Sequence, residues 1–493
     1  MGNKRRKLHI KEIVICLVLC AIPVVLGFSH VQSFSYVNSL FDDYEEFRIS
    51  KREMHNGVET VDIREYLTEA AGGDFYTTRY SAPNGDTIVS GSLRGATDES
   101  VVLQSLHITG DAQIHFYENN NFEELPLEEG KYDPSLFFID SESFDIACYT
   151  PKQYRMLENE ALEYLPDSDG YLNVKKTSDG FDIEIVTGKV DISCCTDFML
   201  VYSTEDIMNW ESHEVDKEWL AFTMDGDNRW TYTGYYRISP DTYYPTGPNV
   251  YYRCQACYLG NSFITANPRY RVMDDMLLCI IDTMALQQNE LGFFPSTSRS
   301  EWLNEDYNIN EDYYDTRFNS DLIEIFINAY DTYMNNTAYI ALEKYADFFM
   351  KMAEDTAWDD GKGGVFVPDY WDTEAWSEKV HTSLNHQLAE MSVLYKLSDI
   401  LKRPELADLA DKMLVAIENA GFMWLRADHD LHYCIYPNYT FGLPDYPELT
   451  YNDMFKMQQL LEARRGYRSE IMDEIMSYKL QWMKAHHVTT YLK

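Results

Sequence analysis

The hydrophobic period of this chain changes once, near Arg271, and that change limits what it can fold into. Over residues 61–270, short runs such as FDIEIVTG, FMLVYST, WTYTGYYRI and NVYYRCQACYL alternate apolar and polar positions between Gly, Asn and Asp turns. Alternation sends successive side chains to opposite faces, which is the signature of a strand. The expected architecture there is an all-β sandwich or a barrel-like closure. From Arg271 onward, RVMDDMLLCIIDTMALQQN, FNSDLIEIFINAYDTYM, AYIALEKYADFFMKMAED, SLNHQLAEMSVLYKLSDIL and YNDMFKMQQLLEARRG carry apolar residues at helical spacing. Helix pairs alternate with longer loops rich in aromatics, Gly and Pro. That rhythm predicts stacked helical hairpins closing into an all-α (α/α) toroid over residues 271–493, with the loops of one rim around a cleft. No repeat of fixed period is present, which argues against an open solenoid.

The first residues predict something different. MGNKRRKLHIK carries Lys4, Arg5, Arg6, Lys7 and Lys11, and an apolar run follows at residues 13–28. A basic flank before an apolar run reads as a signal peptide or a signal anchor. The run is short against the ~17–25 residues of a membrane span. No small-x-small cleavage site follows it, so the anchor is the favoured reading. The expectation is a multidomain chain. Residues 1–30 form the basic flank and membrane anchor, 31–60 a charged stalk, 61–270 the β-rich domain and 271–493 the toroid. The later domains would then be extracytoplasmic, on a single-pass chain.

The formal net charge of −40 excludes nonspecific binding to nucleic acid and fits a soluble surface or secreted protein. Of nine cysteines, Cys16 and Cys20 fall in the apolar run. The C-x-x-C at Cys254 and Cys257 and the adjacent Cys194 and Cys195 lack the ligand spacing of a zinc site. One disulfide within the β region is expected instead. The sequence has no P-loop, no dinucleotide fingerprint, no G-x-S-x-G and no H-E-x-x-H. His381 and His386 have no third ligand at useful spacing. No metal and no cofactor are expected.

Three loops of the helical half concentrate residues that contact sugars or move protons. They supply Trp302, Tyr313, Tyr314, Trp371, Trp376 and the phenols Tyr433, Tyr436, Tyr439, Tyr446 and Tyr451. Aromatic faces stack on sugar rings, and the same residues also fill gaps between helices. Carboxylates are too numerous for spacing to select an acid and a base. Glu374 is singled out because it lies in a loop among aromatics, and Asp315 and Asp321 because they flank a helix start.

Over residues 291–461 the chain resembles the C-terminal domain of the D-glucuronyl C5-epimerases. The resemblance is carried by GFFPSTSR (292–299), YYDTRFNSDLIEIFINAY (313–330), GGVFVPDYWDTEAW (363–376), SLNHQLAEMSVLYKL (383–397), LHYCIYP and DYPELTYNDMFKMQQLL, in that order. It implies an isomerase that removes the C5 proton of glucuronate within a polysaccharide and returns it on the other face. By the same resemblance Tyr433, Tyr451 and Glu374 are the expected catalytic residues, with Tyr446 in reserve. Arg299, Arg317, Tyr314, Trp371, Trp376 and Asn385 are the expected substrate-binding residues. The chemistry fits these types: charge develops on the carboxylate as the proton leaves and needs guanidinium or strong hydrogen bonds. Tyrosine, with an ordinary pKa of ~10, must be tuned to carry the proton. Where the family has a tyrosine two positions after the glutamate, this chain has Trp376. Either a neighbour such as Tyr370 substitutes, or the chemistry differs. The expected partners are a uronate-containing polysaccharide, the membrane through the N-terminal anchor, and a second copy in a homodimer. The competing readings are a polysaccharide lyase, which begins with the same proton abstraction, and a non-catalytic glycan-binding or assembly protein.

Overall fold

The computed structural model describes residues 47–70, 73–95, 99–118, 121–210 and 227–493. The expected anchor at residues 13–28 and the first part of the stalk lie outside them. Among the described residues, no helix is long and apolar enough to cross a membrane.

Most of the alternating runs fall in one 13-stranded sheet. Its main path runs Arg48–Asn56, Glu59–Ala70, Gly73–Ser81, Thr87–Arg94, Cys194–Ser203, Asp145–Met156, Leu162–Tyr164, Val250–Arg253, Gly234–Ile238 and Asn228–Thr231. A separate four-stranded sheet has Gly180–Val186 and Tyr171–Lys176 at its centre. Gly180–Val186 alternates as predicted, with Phe181, Ile183 and Ile185 buried. These side chains pack with Phe75, Leu93, Phe198 and Leu200, which point from one face of the large sheet. The opposite face presents Tyr80, Ile88, Met199 and Val201 to the helices, in one core with Met273, Leu277 and Ile281. Cys194–Ser203 is therefore covered on both sides, and all ten of its positions are buried.

Nine helices are used below: α1 Tyr258–Thr265, α2 Arg271–Ala285, α3 Glu301–Tyr307, α4 Thr316–Tyr333, α5 Asn336–Thr356, α6 Leu384–Leu401, α7 Pro404–Ala420, α8 Leu449–Arg465 and α9 Glu470–Ala485. Local chemistry sets several starts. Asp315 caps α4 by accepting from the Phe318 amide at 2.9 Å, and Asn335 caps α5 by accepting from the Ala338 amide at 2.9 Å. Pro404 opens α7, where its missing N–H costs nothing. The principal contacts run in series: α2 with α5, α4 with α5 and α6, α6 with α7 and α8, α8 with α9.

The expected fold class needs two corrections, while its membrane-anchor part lies outside the described residues. The β region does not close into a barrel: its large sheet is open, with Arg48–Asn56 and Asn228–Thr231 at its two edges. Closure is unnecessary because helices and the small sheet already cover its two faces. The C-terminal half is not all-α either. Short strands lead into its helices, including the pair Tyr314–Asp315 with Tyr370–Trp371 and the three-stranded set Thr382–Ser383, His432–Ile435 and Phe441–Pro444. The expected disulfide is also missing, since the seven described cysteines are all free and buried. Cys194 and Cys195 are neighbours on one strand, so their side chains leave opposite faces and cannot meet.

Buried ion pairs fix the helices to the large sheet. Arg52 donates to Asp282 through Nε at 3.1 Å and Nη2 at 2.5 Å, and Tyr80 donates to the same carboxylate at 3.0 Å. Arg271, at the start of α2, donates through Nη2 to Asp86 at 2.7 Å.

Candidate active site

The short strands make the site. Tyr314 pairs with Trp371, and Asp315 with Tyr370. Because a strand alternates its side chains, the two pairs serve different sides. The Tyr314 hydroxyl meets that of Tyr345 at 2.8 Å, and Trp371 packs against Phe293 and Phe348, so this pair belongs to the helical core. Asp315 and Tyr370 belong to a polar cluster at the N-terminal ends of α4, α6 and α8. The positive ends of three helix dipoles therefore lie near one region.

Asp369 is the centre of the cluster and is only 1% exposed. Its Oδ1 accepts from the Ser383 amide at 2.8 Å and its Oδ2 from the Ser383 hydroxyl at 2.5 Å. His381 Nε2 lies 3.3 Å and His386 Nδ1 3.6 Å from the same Oδ2. Burial alone would raise the pKa of this carboxyl, but His386, His381 and Ser383 hold it below the ordinary carboxylate value. Burial pushes His386 down to about 4, outweighing Asp369, so its imidazole is neutral at pH 7. Asp315 is pushed the other way, up to about 7, by burial and then by Asp369, against the amides of Phe318 and Arg317. The two neighbouring carboxyls are thus driven in opposite directions by their surroundings.

Phenols surround His381. The Tyr307 hydroxyl is 2.6 Å from His381 Nδ1. Burial raises the Tyr436 phenol to about 12, and the neighbouring Tyr307 offsets part of that rise. The His381 ring stands edge-on to Tyr433 at 5.7 Å and to Tyr436 at 5.8 Å, and Tyr433 stands edge-on to Tyr446 at 5.7 Å. Ser383 lies near Tyr433 and offsets part of the effect of burial on its phenol. The result is a cluster of Tyr436, Tyr307, His381, Asp369, Ser383 and Tyr433, in which Tyr307 with His381 and Ser383 with Asp369 form hydrogen bonds. Burial, followed by Asp369 and Tyr446, raises the Tyr433 phenol well above 10, and burial raises Tyr307 too. Both are protonated at neutral pH. His381 Nε2, 3.3 Å from Asp369 Oδ2, is buried and makes no hydrogen bond in this geometry. At the outer end, Tyr446 is 49% exposed and reaches solvent.

Beside this cluster, α4, α6 and α8 line a cavity of about 340 Å³ whose walls include Arg317, Asp321, Leu388, Lys396, Asp453 and Lys456. Arg317 donates to Asp321 at 3.0 Å and to Asp453 at 2.5 Å, so two protein carboxylates already occupy its guanidinium. Among the described residues, no group of three or more His, Cys, Asp or Glu is arranged to hold a metal.

The structure brings together only some of the residues expected from sequence. Tyr433 and Tyr446 are in the cluster, and Arg317 adjoins it. Asn385 is buried in the first turn of α6, next to His386, and its Oδ1 has no partner. Tyr451 lies elsewhere. On α8 it sits two positions from the cavity-lining Asp453, which turns it about 200° around the helix, and its ring packs against Tyr491. Glu374 is exposed, and only its backbone engages Asn308 and Asp372. Trp376 is 41% exposed and lies under the Lys379 ammonium. Arg299 donates to Glu301 and Asn304 beside the strand Tyr243–Tyr244. Tyr314 and Trp371 face the core, as described above.

Asp369, Ser383, Tyr307 and the roles of His381, His386 and Tyr436 were not legible in the sequence. One signal was available: Asp369 and His381 each stand among apolar residues, in VFVPDY and KVHTSL, where an unpaired polar group would be costly.

No protein-family model matches the chain, and no curated protein does. Solved structures are similar at low level. A D-mannose isomerase matches at 10% identity over 47% of this chain and 58% of its own, with a TM-score of 0.34. A family 76 glycoside hydrolase from a bovine Bacteroides thetaiotaomicron strain matches at 9% identity over 81% and 75%, with a TM-score of 0.37. A cellobiose 2-epimerase from Bacillus thermoamylovorans B4167 matches at 12% identity over 47% and 60%, with a TM-score of 0.34. The chain thus spans less than two thirds of the length of the isomerase and the 2-epimerase. All three are sugar-processing enzymes by name, and no residue role is carried over from them.

Proposed function

We propose that this chain is a carbohydrate-acting enzyme of the epimerase type, which removes and returns the C5 proton of a uronate unit in a polysaccharide. The observation that carries the reading is the cluster of phenols around the His381–Asp369 pair, with Tyr433 and Tyr436 both edge-on to the imidazole, which we read as a proton relay from Tyr436 to Tyr433. Epimerisation needs a proton acceptor on one face of the ring and a donor on the other, and the relay ends in two phenols. In the acceptor direction, Tyr436 passes its proton to Tyr307 as it takes the substrate proton. Tyr307 passes its own to His381 Nδ1, and Asp369 balances the imidazolium. In the donor direction, Tyr433 gives its proton to the opposite face and takes one from Ser383, which takes one back through Asp369 as His381 gives up its Nε2 proton, so the proton gained by His381 replaces the one donated. Arg317 is already paired, so the charge developing on the substrate carboxylate is met by hydroxyls and by the converging ends of α4, α6 and α8.

The test is incubation of the full chain with uronate polymers in deuterated water. Deuterium appearing at C5 in uncleaved polymer supports the reading. Ultraviolet absorbance from an unsaturated product would mean a lyase instead. An absence of exchange in any uronate polymer, with binding intact, would leave a glycan-binding protein.

A further inference from the structure

Helix α9 takes no part in the relay, yet it places one charge against the loop that holds both outer phenols. Lys479 is fully buried at 0% exposure. Its ammonium donates to Asp430 Oδ1 at 2.5 Å and to the Tyr446 carbonyl at 2.7 Å, and lies 3.0 Å from Asp445 Oδ2. Trp482 lies beneath it, with the ring centre 4.6 Å away. Asp430 precedes the strand His432–Ile435 that carries Tyr433, and Asp445 and Tyr446 follow the returning strand Phe441–Pro444. One cation therefore ties together both ends of the hairpin. Thr450, in the first turn of α8, donates to Asp445 Oδ1 at 2.5 Å and anchors the same point to that helix. A buried ammonium held by two carboxylates and a carbonyl has little freedom, and the backbone at Tyr446 shares that rigidity.

We propose that Lys479 is a positioning residue that sets the spacing of Tyr433 and Tyr446. It touches neither ring and acts through the backbone of Tyr446 and the two aspartates. Catalytic consequences rest on the reading under Proposed function; the placement of the rings does not.

The full chain, labelled with [¹³Cζ]tyrosine, is compared by NMR as parent, Lys479→Arg and the double variant Lys479→Met/Asp430→Asn. The double variant removes one charge of each sign and so avoids stranding two buried carboxylates. The expected result is a shift in the Tyr433 and Tyr446 resonances in the double variant, with Tyr314 and Tyr345 unmoved. Lys479→Arg keeps the charge and returns the resonances part of the way. Where C5 exchange is measurable, kcat falls about 100-fold in the double variant with KM nearly unchanged, as for an ångström-scale misplacement. Unchanged Tyr433 and Tyr446 resonances in either folded variant would overturn the proposal. If the parent shows no exchange, the epimerase reading fails while the NMR comparison still decides the role of Lys479.

Discussion

Buried aspartates do different work at the sheet–helix junction and at the helix rim. At the junction, Asp282 is answered by Arg52, and Asp86 by Arg271. Each is a carboxylate closed by a guanidinium. At the rim, Asp369 faces two imidazoles and a serine, and phenols flank the imidazoles. No permanent cation contacts it directly. An arginine pair stays charged on both sides at any ordinary pH and holds two elements together. A carboxylate among histidine, serine and tyrosine is surrounded by groups whose protons can move. The distinction separates buried charge closed by a permanent cation from buried charge whose partners can exchange protons, which the proposed chemistry would use.

The strongest way to break the comparison is to treat the two kinds of aspartate alike. Asp369→Asn is expected to slow C5 exchange by on the order of 10³–10⁴-fold, the scale lost when a histidine loses its orienting carboxylate. Thermal unfolding and exchange kinetics on the same variant check this. Tyr433→Phe removes one proton carrier and is expected to cost about 10²–10⁴-fold in exchange with the melting temperature nearly unchanged. At the junction the signs reverse. Arg52→Met leaves Asp282 buried without its cation and is expected to cost ~3–5 kcal/mol in denaturant unfolding, with exchange per folded molecule intact.

A smaller effect sharpens the comparison through pH. Glu390 is buried between Ser320 and Tyr345, and burial lifts its pKa to about 7 against those two hydrogen bonds. A carboxyl with a raised pKa contributes stability that is fully present below its unfolded value of 4.5 and is lost as pH rises through about 7. Asp315 acts in the same direction, from 3.8 to about 7. The loss from Glu390 is at most about 3 kcal/mol, and Glu390→Gln should flatten it in unfolding measured from pH 4 to 8. His386 acts oppositely: its contribution is present above 6.5 and lost as pH falls through about 4. The smallest expected effect is that of Tyr451→Phe, which leaves exchange within about twofold of the parent because a phenol outside the relay supplies no transition-state contact.

Much of the fold was legible in the sequence because periodicity reports burial. The strand Gly180–Val186 and the helices α4 and α6 follow directly from where their apolar residues recur. The covering of both faces of Cys194–Ser203 was not legible, since a continuous buried run reads the same in a barrel, a sandwich or a layered sheet. In the site, resemblance led to Tyr433 and Tyr446 but also to Tyr451, because motif order does not say which way round a helix a side chain turns. Asp369 and His381 were passed over for a related reason. Their significance comes from meeting across two loops, where the Asp369 amide donates to the His381 carbonyl at 3.0 Å, and no local pattern records that meeting.

The central claim is that a proton relay through Asp369 serves the phenols at the helix rim. Its most direct test is solvent deuterium incorporation at C5 of a uronate polymer by the parent, Asp369→Asn and Tyr433→Phe, each confirmed folded. Exchange by the parent into uncleaved polymer is expected, with a loss of at least about 100-fold in both variants. Exchange by Asp369→Asn at the parent rate would contradict it.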